Sequence, residues 1–186
     1  MLKNKILIVY GSRYGATEEI AMKISSNLQE IGMVTDLINL KNIEKNSWPN
    51  ISDYKAIIIG SSIKMGKWTK EINKFIEINV DKIKKFPSPI GFFVTSGLAS
   101  DSTRHEELKK EYIEKPLIKY NISVAKAEVF AGVLDLTSSS KLSWLDKKIV
   151  NAMSKEDEKI KTNSMNDFRN WQKISNFAIS YNKLLH

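Results

Sequence analysis

The sequence of 186 residues contains no cysteine. That absence removes disulfides, a thiolate nucleophile, iron–sulfur clusters and cysteine-ligated zinc. Histidine is nearly as scarce: His105 falls in a charged, helix-like stretch and His186 is the last residue. A histidine-rich metal site is therefore not expected. Long apolar runs are missing as well. No stretch approaches the ~18 residues that cross a bilayer, and Ile6-Leu7-Ile8-Val9-Tyr10 is too short for the apolar part of a signal peptide. The expectation is a soluble cytoplasmic protein with one domain over residues 1–186, long enough to bury a substantial core. Negative charge is in deficit, with 21 Asp and Glu against 29 Lys and Arg, a net charge of +8. Such a surface favours anionic partners, whereas a lysine-rich bias spread over solvated helix faces gives the same total. No basic run interleaved with aromatics marks a nucleic-acid platform, so none is expected.

What the chain does contain is alternation. Ile6 to Tyr10 is a continuous apolar run, as in a strand buried on both faces. From about Thr17, Ile20, Ile24, Leu28 and Ile31 form one helical stripe, and Gly32 is placed to end it. Met33 to Leu40 reads as a second strand and Ala56 to Gly60 as a third. Trp68, Ile72, Phe75 and Ile76 open another helical stripe that reaches toward Ile83. Pro87 and Pro89 precede a fourth strand, Ile90 to Thr95. Thr103 to about Lys119 reads as helix, and Val124 to Leu134 holds a fifth strand. From Leu142 to Leu185 the pattern predicts helix in two pieces, with the last marked by Asp167, Phe168, Trp171, Ile174, Phe177, Ala178 and Tyr181. Strands alternating with helices imply an α/β fold, a doubly wound five-stranded parallel sheet with helices on both faces. Ligands of such sheets bind beyond the carboxyl ends of the strands.

Three loops lie at that edge: "GSRYGAT" (11–17), "GSSIKMGKW" (60–68) and "TSGLASD" (95–101). The first lacks the G-x-G-x-x-G of a dinucleotide site and the lysine of a triphosphate loop. No aspartate follows the third strand, which excludes a phosphoryl-accepting receiver. Hydroxyls at Ser12 and Thr17, a flexible Gly15 and the amides of a helix N-terminus are the parts of a site for one phosphate. They also suit a plain strand-to-helix turn, and both readings are open at this point. The second loop sets Ile63, Met65 and Trp68 among polar residues, which is better explained if a flat apolar ligand covers them. Met65 and Trp68 equally suit a core position at the start of the next helix. One phosphate site beside two loops able to flank a planar ring suggests FMN.

"SRYGAT" resembles the phosphate loop of the flavodoxin superfamily, T/S-x-T-G-x-T. Ser12, Gly15 and Thr17 match it, and Tyr14 stands where threonine is usual. Residues 53–76, 127–136 and 144–178 are similar to one branch, the flavodoxin-like, quinone-linked protoporphyrinogen IX dehydrogenases and their flavodoxin-domain relatives. Segments 41–52 and 97–123 match weakly. The resemblance implies strand order 2-1-3-4-5 and noncovalent FMN. It implies phosphate contacts from Ser12, Arg13, Tyr14, Gly15, Ala16 and Thr17. Ring contacts would come from Ser61, Ser62, Ile63, Lys64, Met65, Gly66, Lys67 and Trp68, and from Thr95, Ser96, Gly97 and Leu98. Gly66 or Gly97 has the freedom for a peptide that reorients with redox state. Arg13 reads equally well as a solvated loop cation.

Two features separate catalyst from carrier. Electron-carrier flavodoxins resemble one another in being acidic, and they commonly stack a tyrosine on the ring from the loop after strand four. This chain is basic, and "TSGLASD" offers Leu98 there. Both features lean toward an oxidoreductase acting on a porphyrinogen or a quinone, and no general acid or base stands out. The alternatives are a soluble FMN electron carrier and a cofactor-free binding protein on the same fold. Arg104, Lys109 and Lys110 form a basic region able to receive substrate carboxylates. Leu142 to Met153, with Trp144, Leu145, Ile149 and Val150 among Lys141, Lys147 and Lys148, suits either peripheral contact with lipid or packing on the sheet.

Overall fold

The computed structural model describes residues 5–140, 142 and 160–186. Five strands, β1 (Lys5–Gly11), β2 (Val34–Asn39), β3 (Ala56–Ser62), β4 (Ile90–Ser96) and β5 (Lys126–Ala131), form one parallel sheet in the order 2-1-3-4-5. Helices α1 (Ala16–Glu30) and α2 (Lys70–Lys84) are crossovers, and α5 (Trp171–Asn182) closes the chain. Between β4 and β5 lie α3 (His105–Lys109), a π-helical turn (Lys110–Glu114) and α4 (Lys115–Ile118).

Alternation along the strands divides the core in two. Leu7 and Val9 of β1, Ile57 and Ile59 of β3 and Phe92 and Val94 of β4 pack with Phe75 and Ile76 of α2. Ile6, Ile8, Ile58 and Phe93 point the other way, onto Ile20 and Ile24 of α1 and Phe177 and Tyr181 of α5. A strand with apolar residues at every position has this outcome because successive side chains take opposite faces. Gly91 sits under the Tyr181 ring, whose hydroxyl donates to the carbonyls of Ile57 (2.9 Å) and Pro89 (2.8 Å).

Four details depart from the expected pattern. Ile31 is not in the buried stripe of α1; it is exposed at the helix C-cap, and Gly32 follows at φ 85°. The helix expected over 103–119 is broken by the π turn. The fifth strand ends at Ala131, and after Gly132 a short strand β6 (Val133–Asp135) pairs antiparallel with β7 (Met165–Asp167) in a separate sheet. Asp167 and Phe168 therefore precede α5, with Asp167 in β7, and the helix begins at Trp171 behind an Asn170 cap. The stretch 143–153 assigned to lipid contact or packing lies outside the described residues.

Candidate functional site

Ser12 to Gly15 leave β1 in a tight loop. The Ser12 hydroxyl accepts from the Gly15 amide at 3.0 Å, and Gly15 caps α1 at φ 103°, ψ −34°. An L side chain is strained there, so glycine is a backbone requirement. Nothing lies within 4 Å of where its Cβ would stand, so the loop opens onto free space. The first amides of α1 have no carbonyl one turn back to bond and offer donors to an anion.

Arg13 does not extend into solvent, nor does it reach across its own loop. Its guanidinium donates to the Ser62 carbonyl and hydroxyl and, at 2.7 Å, to the Trp68 carbonyl. It thereby spans the base of the second loop and ties it to the first. Burial lowers its pKa from the ordinary value, and Glu71 opposes that shift; a guanidinium remains cationic throughout. Above it, the Lys64 ammonium donates to the Tyr14 hydroxyl at 3.1 Å. The Thr17 and Thr95 hydroxyls meet at 2.5 Å in the interior, joining the start of α1 to the end of β4. The Ile63 amide donates to the Thr95 carbonyl at 2.8 Å, so all three loops are braced to one another.

Within the second loop, Ser61 is fully buried, accepts from the Thr69 amide at 3.0 Å and closes the loop from inside. Lys64 and Lys67 exchange backbone hydrogen bonds around Met65 (φ 49°) and Gly66 (φ 73°), a two-residue turn of the hairpin type. Met65 is 89% exposed at its tip. Of the two readings open for Trp68, the core one describes its position. It is buried, its ring centroid lies 5.0 Å from that of Phe92, and its indole N–H donates to the Tyr112 carbonyl at 2.7 Å. In the third loop the Ser96 hydroxyl accepts from the Leu98 amide, Leu98 is partly exposed, and Gly97 faces open space.

Ala16 is close to Gly132, where an added Cβ would lie 3.7 Å from its own, so the end of β5 also borders the first loop. The third loop has a support that sequence reading missed. His105 Nε2 bonds the Ala99 carbonyl at 2.8 Å, and Lys173 donates to His105 Nδ1 at 2.7 Å. Lys173 also donates to the Val129 carbonyl and pairs with Glu128 at 2.8 Å. No local motif announces this set, which gathers residues from four parts of the chain. Of the basic residues expected to receive carboxylates, Arg104 pairs with Glu107 and Lys109 with Glu106 on their own helical turn.

A cleft of about 290 Å³ opens beside the first two loops, lined by Ser12, Arg13, Tyr14 and Lys64 with residues of α2 and Lys41. A larger hollow of about 510 Å³, lined by Tyr54, Lys82 and Phe86, lies at the amino edge of the sheet, away from all three loops. The loop edge is preferred as the site because donors, hydroxyls and exposed apolar tips converge there.

The flavodoxin domain model matches residues 7–164. The chain belongs to the flavodoxin-domain family. It is 26% identical over 175 residues to the protoporphyrinogen IX dehydrogenase [quinone] of Escherichia coli K12, covering 94% of this chain and 92% of that protein. Among solved structures it is similar to oxidised flavodoxin 2 from Bacillus cereus, with TM-score 0.53, 20% identity and coverage of 96% and 98%. It is also similar to rubredoxin oxygen:oxidoreductase from Desulfovibrio gigas, with TM-score 0.60, 13% identity and coverage of 98% of this chain and 36% of that one. These structural likenesses carry the fold. Among the described residues, no helix is long and apolar enough to cross a membrane.

Proposed function

We propose that this chain binds FMN noncovalently at the carboxyl edge of its sheet. On this reading it acts as an oxidoreductase similar to the quinone-linked protoporphyrinogen dehydrogenases. The residues present suit the cofactor: an open-faced glycine cap, unpaired first-turn amides and the Ser12 hydroxyl for one phosphate, with Ile63 to Lys67 and Thr95 to Leu98 on either side of a planar ring. Once bound, FMN supplies the electron chemistry. The chain's own residues orient and shield it. Arg13 fixes the spacing of the first two loops, the Thr17–Thr95 pair fixes the first to the third, and His105 holds the third loop from behind. Met65 and Leu98 present apolar surface at the tips. Trp68 contributes through its carbonyl and its indole N–H from within the core.

The observation that favours catalysis over carriage is the third loop, where Gly97 faces open space and Leu98 is the largest group at hand. An uncovered ring edge suits a bound donor or acceptor. The identity to the Escherichia coli dehydrogenase, spread over nearly both chains, supports the same reading and supplies porphyrinogen and quinone as the substrates to try. The net charge of +8 suits a cytoplasmic protein working at an anionic membrane surface, where quinones dissolve. A carrier is the second reading, favoured by the end-to-end likeness to a flavodoxin. Anaerobic mixing of the FMN-loaded chain with protoporphyrinogen separates the two. Bleaching of the flavin band, reversed by a quinone, is expected; an unbleached band leaves the carrier.

A further inference from the structure

The last helix carries a cation at its unfavourable end. Lys173 stands in the first turn of α5, where the helix dipole opposes positive charge. Its ammonium is met by groups outside that helix. An ammonium has three N–H donors and no acceptor, and three acceptors surround this one. They are the Glu128 carboxylate at 2.8 Å, the Val129 carbonyl at 3.0 Å and His105 Nδ1 at 2.7 Å. Glu128 is itself fixed, because the same oxygen accepts from the Val129 amide at 2.9 Å. The Phe130 ring lies on the same group, its centroid 5.9 Å from Lys173 Nζ. The head of Lys173 is thus seated between β5 and α3 with each hydrogen assigned.

That seat determines the state of His105. Nδ1 faces a donor and must accept, so the ring's proton is on Nε2, the nitrogen that faces the Ala99 carbonyl at 2.8 Å. A carbonyl only accepts, so both contacts agree on one tautomer. Ala99 is buried and belongs to the short turn Gly97–Ser100, with Leu98 directly before it. We infer that Lys173 and His105 are positioning residues for the cofactor: Lys173 fixes the His105 ring and its proton, and His105 holds Ala99, and with it Gly97 and Leu98, in the place where the third loop receives the flavin ring. The loop is then ordered before the ligand arrives, and binding does not have to order it. This rests on the FMN reading above, and it makes α5 part of the support of the site.

Two measurements on the full chain test it. His105 and His186 are its two histidines, so ring-nitrogen NMR resolves them readily. His105 should carry its proton on Nε2 with Nδ1 bare, and a proton on Nδ1 overturns the inference. Flavin titration then compares variants whose folding is checked by urea denaturation. His105→Ala should bind FMN about three- to tenfold more weakly, the scale of one lost hydrogen bond. His105→Gln, whose amide nitrogen can replace Nε2 as donor, should stay within about twofold of wild type. Lys173→Met should weaken FMN binding as His105→Ala does, yet change little when added to His105→Gln. An equal loss from Lys173→Met in both backgrounds would assign Lys173 to helix packing alone and overturn the inference. So would equal affinities, or equal losses, for the two His105 variants, and that comparison decides if Lys173→Met does not fold. A chain that takes up no FMN overturns the proposed function instead. The inference is then decided by the ring nitrogens and by the amide signals of Gly97 to Ser100, which His105→Ala should shift and His105→Gln should not.

Discussion

Arg13 carries a full charge and gives its hydrogen bonds to the carbonyls of Ser62 and Trp68. Both acceptors belong to the second loop, so the residue is best understood as a brace. Arg13→Met should cost ~2 kcal/mol of stability, the scale of charged hydrogen bonds lost from a half-buried site. It should also weaken FMN binding, since the two loops lose their fixed spacing. Urea denaturation and a flavin titration check the two effects, and an unchanged FMN affinity would mean that the spacing is set elsewhere. Gly15 makes a cleaner case. Its φ of 103° with ψ of −34° is open only to glycine, while the space around it is empty. Gly15→Ala should therefore destabilise by about 1–3 kcal/mol through backbone strain alone, and a clash has no part in it. Gly15 was legible in the sequence as a flexible position where a helix starts after a strand, whereas the buried Thr17–Thr95 contact was not. Arg13's role was not, because a cation in a loop gives no hint of acceptors about fifty residues away.

At the scale of elements, the break in the helical stretch after Arg104 has a chemical cause. Tyr112 would give its carbonyl to the amide four residues on, but that residue is Pro116, which has no N–H and whose ring crowds the same carbonyl. The helix widens into a π turn, with the Lys115 amide bonding the Lys110 carbonyl, and the Trp68 indole takes the Tyr112 carbonyl instead. Trp68→Phe should cost about 1–3 kcal/mol, since a partly buried carbonyl loses its donor. In a Pro116→Ala background the cost should fall, because an α-helical amide becomes available to Tyr112. A double-mutant cycle in urea measures that coupling, and strictly additive effects would rule the explanation out. The spacing of Tyr112 and Pro116 was in plain view, but nothing local says which donor fills the gap.

The β6–β7 pair shows the same limit. Val124 to Leu134 reads as one strand because its apolar pattern runs through Gly132, and the partner of the part beyond that glycine lies some thirty residues on. What fastens β7 to the body is Arg169, which bonds Asp167 through two nitrogens (2.8 and 2.7 Å) and pairs with Glu19 in the first turn of α1. The Arg169 bond holds the Asp167 carboxyl below its ordinary range. The folded state then binds that proton less tightly than the unfolded chain. Its contribution is full above about pH 4, near the unfolded value, and is lost as pH falls through the lower folded one. The urea midpoint should drop over that window, and Asp167→Asn should flatten the drop. Identical acid limbs in the two proteins would contradict this.

For the whole molecule, the parallel sheet and its two-faced core were legible because fully apolar strands alternating with amphipathic helices leave few topologies; the order 2-1-3-4-5 came from the family resemblance and is the one observed. The edge proposed to carry the site followed from the same pattern. What could not be read was the bracing between loops, which depends on distant side chains meeting, and the meeting of Lys173 with His105 behind the third loop. All of these converge on one claim, that the three-loop edge holds a flavin. The direct measurement is the visible spectrum of the purified chain after incubation with FMN and removal of the excess. The account predicts one FMN retained per chain, with its absorption bands near ~370 and ~450 nm, and weaker retention by Arg13→Met. A colourless protein that takes up no FMN would contradict it.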